Sequence, residues 1–216
     1  MKQTIGRLWR DRVNLSSVCK LLRLQKKVAF PLELMWALIG LLLTIGGTFL
    51  EASMISPPWH WDSQGISIFS LGVTYQIGAV LLIGCLGGKN AAVVSQIAYL
   101  ILGLLWLPVF SHGGGWTYLM EPSIGYLVGF IPGAWVCGTL AFRKRLRLEY
   151  LALSCICGLL VIHAIGLGYL SVSHYFSDEP LLPQIMKYSV EPFLGHLVVV
   201  CEVTVLAFFL RMFMLY

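Results

Sequence analysis

Runs of about twenty mostly apolar residues recur along the chain near 32–50, 68–86, 91–110, 123–142, 150–171 and 192–213. A run of that length crosses the roughly 30 Å hydrocarbon core of a bilayer as a helix. In hydrocarbon the backbone N–H and C=O groups must find partners within the protein, which leaves helices or closed barrels as spanning structures. The runs therefore predict an all-α integral membrane protein with six transmembrane helices. Composition agrees, with 58% hydrophobic and only 12% charged residues over 216 positions. The second run starts polar ("DSQGISIFSLGVTYQ") and leaves through glycines ("GCLGGKN"), the pattern of a short or tilted span.

The Lys/Arg bias of the connections sets the orientation. Lys2, Arg7, Arg10, Arg12, Lys20, Arg23, Lys26 and Lys27 precede the first run, and Lys89 follows the second. Arg143, Lys144, Arg145 and Arg147 follow the fourth, and Arg211 lies at the end. Only Lys187 falls on the other side, so fourteen of the fifteen basic residues share one face. Both termini are then cytoplasmic, and the loops 51–67, 111–122 and 172–190 face outward. Residues 1–30, which include "RLWRDRVNLSSVCKLLRLQKK", interleave apolar and basic residues as a helix on an anionic membrane surface does. They form a basic amphipathic cytoplasmic segment ahead of a six-helix membrane domain, 31–216, in the plasma membrane. No A-x-A-like site follows the first apolar run, which argues against a signal peptide.

The six cysteines do not form a disulfide framework. Cys85, Cys137, Cys155, Cys157 and Cys201 lie in or beside apolar helices, and Cys19 lies in the tail. Cys155 and Cys157, two apart on one helix, point to different faces and are poorly placed to share a metal. All six are read as small packing residues, and no metal or cofactor is expected. The chain contains no G-x-x-x-x-G-K-S/T phosphate loop, no H-E-x-x-H and no G-x-S-x-G elbow, so nothing argues for an enzyme.

Polar groups nevertheless gather at one depth. With the helices as assigned, Gln76, His112, Glu121, Tyr126, His163 and His196 all lie near the outer face, the layout of a pocket open to the outside. Each has a plainer alternative. An intramembrane histidine such as His163 is more often a helix-packing group than a ligand contact, Gln76 can simply bond across the bundle, and Glu121-Pro122-Ser123 is a good helix start. Glu202 lies deeper, where a carboxyl group must be protonated, paired or part of a coupling path.

Between the third and fourth runs stands "LPVFSHGGGWTYLMEPSIGYLVGF". Gly113, Gly114 and Gly115 permit positive φ and close backbone approach, with N–H groups for a carboxylate or carbonyl. Phe110, Trp116 and Tyr118 offer flat apolar walls. Such a loop suits a lid over a small, largely apolar, weakly anionic solute; the alternative is a turn between antiparallel helices.

These residues carry a resemblance. "LPVF", a glycine cluster and "PSIGYLVGF", preceded by "VTYQIGAVLLIGCLGGKNAAVVSQIAYLILGLLW", resemble the signature of the BioY family, the biotin-binding S-components of energy-coupling factor (ECF) vitamin transporters. The matching positions are Thr74, Gln76, Gly88, Tyr99, Gly103, Leu107, Pro108, Val109, Phe110, Pro122, Gly125, Tyr126, Gly129 and Phe130. The chain departs from the pattern at the last helix, where Phe193-Leu194-Gly195-His196 replaces a Pro-Gly-Asp segment and Val199 stands at a lysine position. Leu127 stands where many members carry an arginine.

The resemblance implies an S-component fold and biotin uptake, with substrate contacts drawn from Gln76, Tyr99, His112, Gly113, Gly114, Gly115, Trp116, Tyr126, His163 and His196. The ligand carboxylate would fall to His196, His112, backbone N–H groups or Lys187, and the ureido ring to Gln76 or Tyr126. The partners implied are biotin, membrane lipid and an ECF coupling subunit with its ATPase pair, or a homo-oligomer if the protein works alone. Small residues on the first helix would face the coupling subunit; the usual Ala-x-x-x-Ala is absent, and Ala37, Gly40 and Gly47 are the substitutes. An S-component for another vitamin, a non-transporting scaffold, and a membrane enzyme built on His163 or His196 with Glu202 remain the alternatives.

Overall fold

The structure, a computed structural model, describes residues 15–55, 68–105, 107–111, 113–176 and 180–214. The N-terminal fourteen residues and His112 therefore lie outside the described residues, as does the side chain of every residue before Phe30. Helix α1 runs Leu15–Phe49, followed by strands β1 (Glu51–Ile55) and β2 (Ile68–Thr74). Helices α2 (Gln76–Leu105), α3 (Ile124–Ala141) and α4 (Leu148–Ser173) come next, and α5 (Leu181–Ile185) passes through a π-helical turn, Met186–Val190, into α6 (Glu191–Met214). Among the described residues, five helical segments are long and apolar enough to cross a membrane: Phe30–Phe49, Gln76–Leu105, Ile124–Ala141, Leu148–Ser173 and Leu181–Met214. The chain forms two units, Met1–Met35 and Trp36–Tyr216. The second holds α1 from Trp36 onward, the two strands and helices α2 to α6.

Helix α2 is broken. Gly88 has φ 77° and ψ 178°, outside helical space. The amide of Gln76 donates to the Tyr99 hydroxyl at 2.8 Å although the two are 23 residues apart; an unbroken helix would hold them about 35 Å apart. The chain therefore folds back at Gly88 into two arms, Gln76–Gly87 and Lys89–Leu105, about 18 and 25 Å long. A positive φ costs glycine nothing and other residues about 1–2 kcal/mol, and this explains the glycine at the reversal.

Two expectations from the sequence are corrected. The fold is not purely helical, because residues 68–74 of the second apolar run form β2, antiparallel to β1 in the register Met54↔Phe69 and Ile55↔Ile68. Ile68, Phe69, Leu71 and Val73 supply the apolar, β-branched character of a strand as readily as that of a helix. From Ile68 the run is thus a strand, and the connection between the first two helices is partly ordered sheet. Secondly, Gly40 and Gly47 face the chain's own α2: a Cβ at Gly40 would press on Ile83 and Ser95, and one at Gly47 on the backbone of Tyr75 and Gln76. Ala37 is buried as well. Ala37, Gly40 and Gly47 thus serve packing inside the chain, whereas Gly46 faces open space.

The core lies where α2, α3, α4 and α6 converge, with Leu81, Ile83, Phe130, Leu159, Ile162 and Val199 fully buried or nearly so. The outward faces are lined with large apolar side chains, among them Leu42, Ile101, Trp135, Leu160 and Phe209, as expected of helices that meet lipid.

Candidate functional site

At the end of the bundle where the hairpin folds over the helices lies a cavity of about 420 Å³. Each wall comes from a different element. Glu51 opens β1, Val73 and Thr74 close β2, and Gln76 and Ile77 begin α2. Tyr118 comes from the short 3₁₀ segment Trp116–Met120, Ser123 and Tyr126 from the start of α3, Lys187 and Tyr188 from the π-helical turn, and His196 from α6. The lining mixes aromatic and aliphatic walls with a few fixed polar groups, the usual make-up of a small-molecule site.

Behind the lining, two hydrogen-bond systems hold the polar groups in place. Tyr99, fully buried, donates its hydroxyl hydrogen to the Val109 carbonyl at 3.0 Å and accepts from Gln76 Nε2 at 2.8 Å. Because the phenol hydrogen is engaged, the Gln76 amide must present its N–H to Tyr99, which leaves Oε1 as an acceptor. The second system runs from Tyr126 Oη to Ser189 Oγ at 2.7 Å, from Ser189 to His163 Nδ1 at 3.1 Å, and from His163 Nε2 to His196 Nδ1 at 3.4 Å. His163 is buried and stacks edge-on against Tyr126, Phe193 and His196. It therefore fixes the rings that line the cavity instead of lining it.

Of the residues singled out in the sequence, Gln76, Tyr126 and His196 meet in the cavity wall, while Tyr99 and His163 stand one layer behind. The glycine loop lies apart from the wall. Phe110 and Gly113 exchange both backbone hydrogen bonds, at 2.9 and 3.0 Å, and the Gly115 N–H donates to the Gly103 carbonyl at 2.8 Å. A Cβ at Gly114 would run into the carbonyls of Gly103 and Leu107. The loop is thus pinned to the C-terminal end of α2, with two of its three glycine N–H groups engaged, and Trp116 is 67% exposed. Phe110 fills the space left by Gly103 and packs on Tyr99 and Tyr118 with ring centroids 5.3 and 4.6 Å apart. Burial pushes the Tyr118 phenol above its ordinary range, so that it stays neutral; the hydrogen bond from Ser123 Oγ, at 3.0 Å, acts the other way.

Sequence reasoning missed Glu51, Tyr118 as a polar group, Ser123 and Tyr188. Glu51 enters through the strand pairing and accepts a hydrogen bond from Ser70 across the hairpin; nothing in the hydropathy pattern marked that contact. The two positions at which the family pattern would put basic residues are apolar and closed, with Leu127 and Val199 both buried. Lys187 is the basic residue of the cavity, and its ammonium lies 5.1 Å from the Tyr188 ring centre.

Comparison with known proteins places this arrangement. An uncharacterized 21.2 kDa protein of Cyanophora paradoxa is 31% identical over 180 residues, covering 82% of this chain and 94% of that protein. The biotin transporter BioY of Thermotoga maritima is 40% identical over 99 residues, covering 45% of this chain and 58% of the relative. Among solved structures, the S-component for biotin from an ECF-type ABC transporter is similar in fold, with a TM-score of 0.60 at 21% identity, covering 87% of this chain and 92% of that one. A family model described as the BioY family matches residues 34–214, which take in the hairpin, the broken helix and every element that lines the cavity. The chain belongs to the BioY family.

Proposed function

We propose that the protein takes up biotin across the plasma membrane as the substrate-binding S-component of an ECF-type transporter, with the outer cavity as its binding site. The observation that carries the site assignment is the oriented Gln76 amide, whose Oε1 is left to accept a ureido N–H by the hydrogen bond that Nε2 makes to Tyr99. Tyr126 and His196, held by Ser189 and His163, complete the polar end. Lys187, at the exposed side of the cavity, receives the valerate carboxylate in place of the buried charges that Leu127 and Val199 do not supply. Ile77, Val73, Tyr118 and Tyr188 give the thioether ring and the methylene chain an apolar lining.

In this reading the two arms of α2 each cross or enter the membrane, giving six passes with both termini in the cytoplasm. Ser111 and Tyr118 form the rim beside the glycine loop, which, pinned to the end of α2, holds them against bound biotin. An ECF coupling subunit and its ATPase pair supply the energy; the family relation and the S-component fold support that role. The chain itself is a transport component and not an enzyme.

The test is binding of labelled biotin to the purified protein, with thiamine and riboflavin as competitors and Gln76→Ala beside the wild type. The expected result is saturable binding that neither competitor displaces, weakened about tenfold by the loss of one buried hydrogen bond to the ligand. Displacement by thiamine or riboflavin, or an unaffected Gln76→Ala variant, would overturn the assignment.

A further inference from the structure

Far from the cavity, three thiols meet. Cys85 on α2, Cys137 on α3 and Cys155 on α4 are all buried, and their sulfur atoms lie within 4.8 Å of one another. Cys85 Sγ is 3.7 Å from Cys137 Sγ and 3.5 Å from Cys155 Sγ. Among the described residues, this is the only place where three side chains of metal-binding type bring their ligand atoms together. Counting along the helices from Gln76, Tyr126 and His163 puts the cluster about 12–17 Å below the cavity, so it is no part of the biotin site.

Close packing explains part of this arrangement. A Cβ at Gly84 or Gly158 would crowd Cys137, so the helices approach closely there. Small size alone, however, requires neither sulfur at all three positions nor convergence of the three sulfurs on one point. A separate observation points the same way. Thr204, on α6, is buried beside Cys155, and its hydroxyl oxygen makes no hydrogen bond of ordinary length and angle. Four helices therefore deliver three sulfurs and one hydroxyl oxygen to a single volume in the apolar core. A buried hydroxyl without an ordinary hydrogen bond is costly, and a bound ion or its hydrogen-bonded thiolate would relieve it.

From this convergence we propose that Cys85, Cys137 and Cys155 form a binding site for a thiophilic d¹⁰ metal ion of the copper(I) class, with Thr204 beside it. At a metal–sulfur length of about 2.3 Å, the value for zinc thiolates, a trigonal three-sulfur set has its sulfurs about 4.0 Å apart. The separations of 3.7 and 3.5 Å need shifts of only a few tenths of an ångström to reach that, and the third pair lies within 4.8 Å. Soft thiolates select copper(I), which accepts three ligands, whereas structural zinc takes four strong donors and would find the fourth here only in a neutral hydroxyl. On binding, two thiols lose their protons to water and the third stays a thiol. One cation with three neutral thiols thus gives a complex of charge −1 and two protons, with no change in oxidation state. Arg211, which interacts electrostatically with Cys85 and donates to the Ala141 carbonyl at 2.9 Å, lies at that end of the bundle to offset the charge.

The experiment is anaerobic titration of the purified full-length protein with copper(I) buffered by bicinchoninate, followed by X-ray absorption spectroscopy of the loaded protein. One copper per chain is expected, with three sulfur neighbours near 2.3 Å and a higher thermal unfolding midpoint. Cys85→Ser, Cys137→Ser and Cys155→Ser should each weaken binding at least tenfold. Cys19→Ser, Cys157→Ser and Cys201→Ser should not. Retained biotin binding certifies the fold of each variant, and Cys→Ala replaces Cys→Ser wherever a buried serine prevents folding. Copper no tighter in the wild type than in the triple variant, loss of copper on replacing Cys19, Cys157 or Cys201, or a sulfur count below three overturns the proposal.

Discussion

Lys187 shows how one residue carries a function whose usual owners are absent. Its ammonium is exposed and lies against the Tyr188 ring, so an ion pair with a ligand carboxylate stays screened by water and contributes at most about 1 kcal/mol. Lys187→Ala should therefore weaken biotin binding only about two- to fivefold, the effect should shrink as salt is raised, and biotin methyl ester should bind both proteins equally. Calorimetric titration of both ligands at low and high salt checks this. A large loss that is insensitive to salt would mean that the lysine supports the fold of the π-helical turn instead. Glu202 answers a question that the sequence left open. It interacts with the Tyr75 hydroxyl, and Tyr75, at the head of α2, is held above its ordinary phenol range first by burial and then by that carboxylate. The deep carboxyl group thus has a partner, in keeping with a hydrogen-bonded structural role.

Among the elements, α2 determines where the site can form. Its reversal brings Gln76 beside Tyr99, and through Tyr99 beside the Val109 carbonyl that starts the glycine loop. Gly88→Ala should cost about 1–2 kcal/mol at φ 77° and lower the unfolding midpoint by a few degrees. A Cβ there meets only the edge of the Phe142 ring, no nearer than 3.7 Å, so the loss should come from backbone strain. Thermal unfolding in detergent measures it, and the loss should be the same in a Phe142→Ala background, because φ 77° with ψ 178° is open essentially to glycine alone. A loss that vanishes in that background would show that packing against Phe142, and not φ, governs the turn. Hydropathy located α3, α4 and α6 to within two residues but missed the early start of α1 and could not see β2, because Ile68-Phe69-Ser70-Leu71 reads as apolar in either geometry. For the same reason the depth argument found Gln76, Tyr126 and His196 but not Glu51, which reaches the cavity only through the pairing of β1 with β2. The cysteine cluster escaped the sequence for another reason. Spacing within one helix correctly set Cys155 apart from Cys157, but convergence from three helices is a property of packing that no linear pattern displays.

For the molecule as a whole, the charge asymmetry and the cavity make the same demand. Fourteen of fifteen basic residues are assigned to one side, and the exception, Lys187, lines the cavity at the opposite end of the helices. An uptake protein needs that cavity outside, and the positive-inside rule puts the basic side in the cytoplasm, so charge and function require one orientation independently. Ser111, beside the cavity, should then be reachable from outside and Cys19 only from inside. In a background with the other cysteines replaced by alanine, Ser111→Cys should react with a membrane-impermeant maleimide in intact cells, and Cys19 only in inverted vesicles. Labelling of both from one side would place an even number of crossings between them, and the α2 reversal would then not return through the membrane. The reverse pattern would put the cavity in the cytoplasm, where it could not capture a vitamin for uptake. Either result would separate the charge argument from the functional one; the expected result ties both to one topology, in which the sequence between Cys19 and Ser111 crosses the bilayer three times, twice by the arms of a single broken helix.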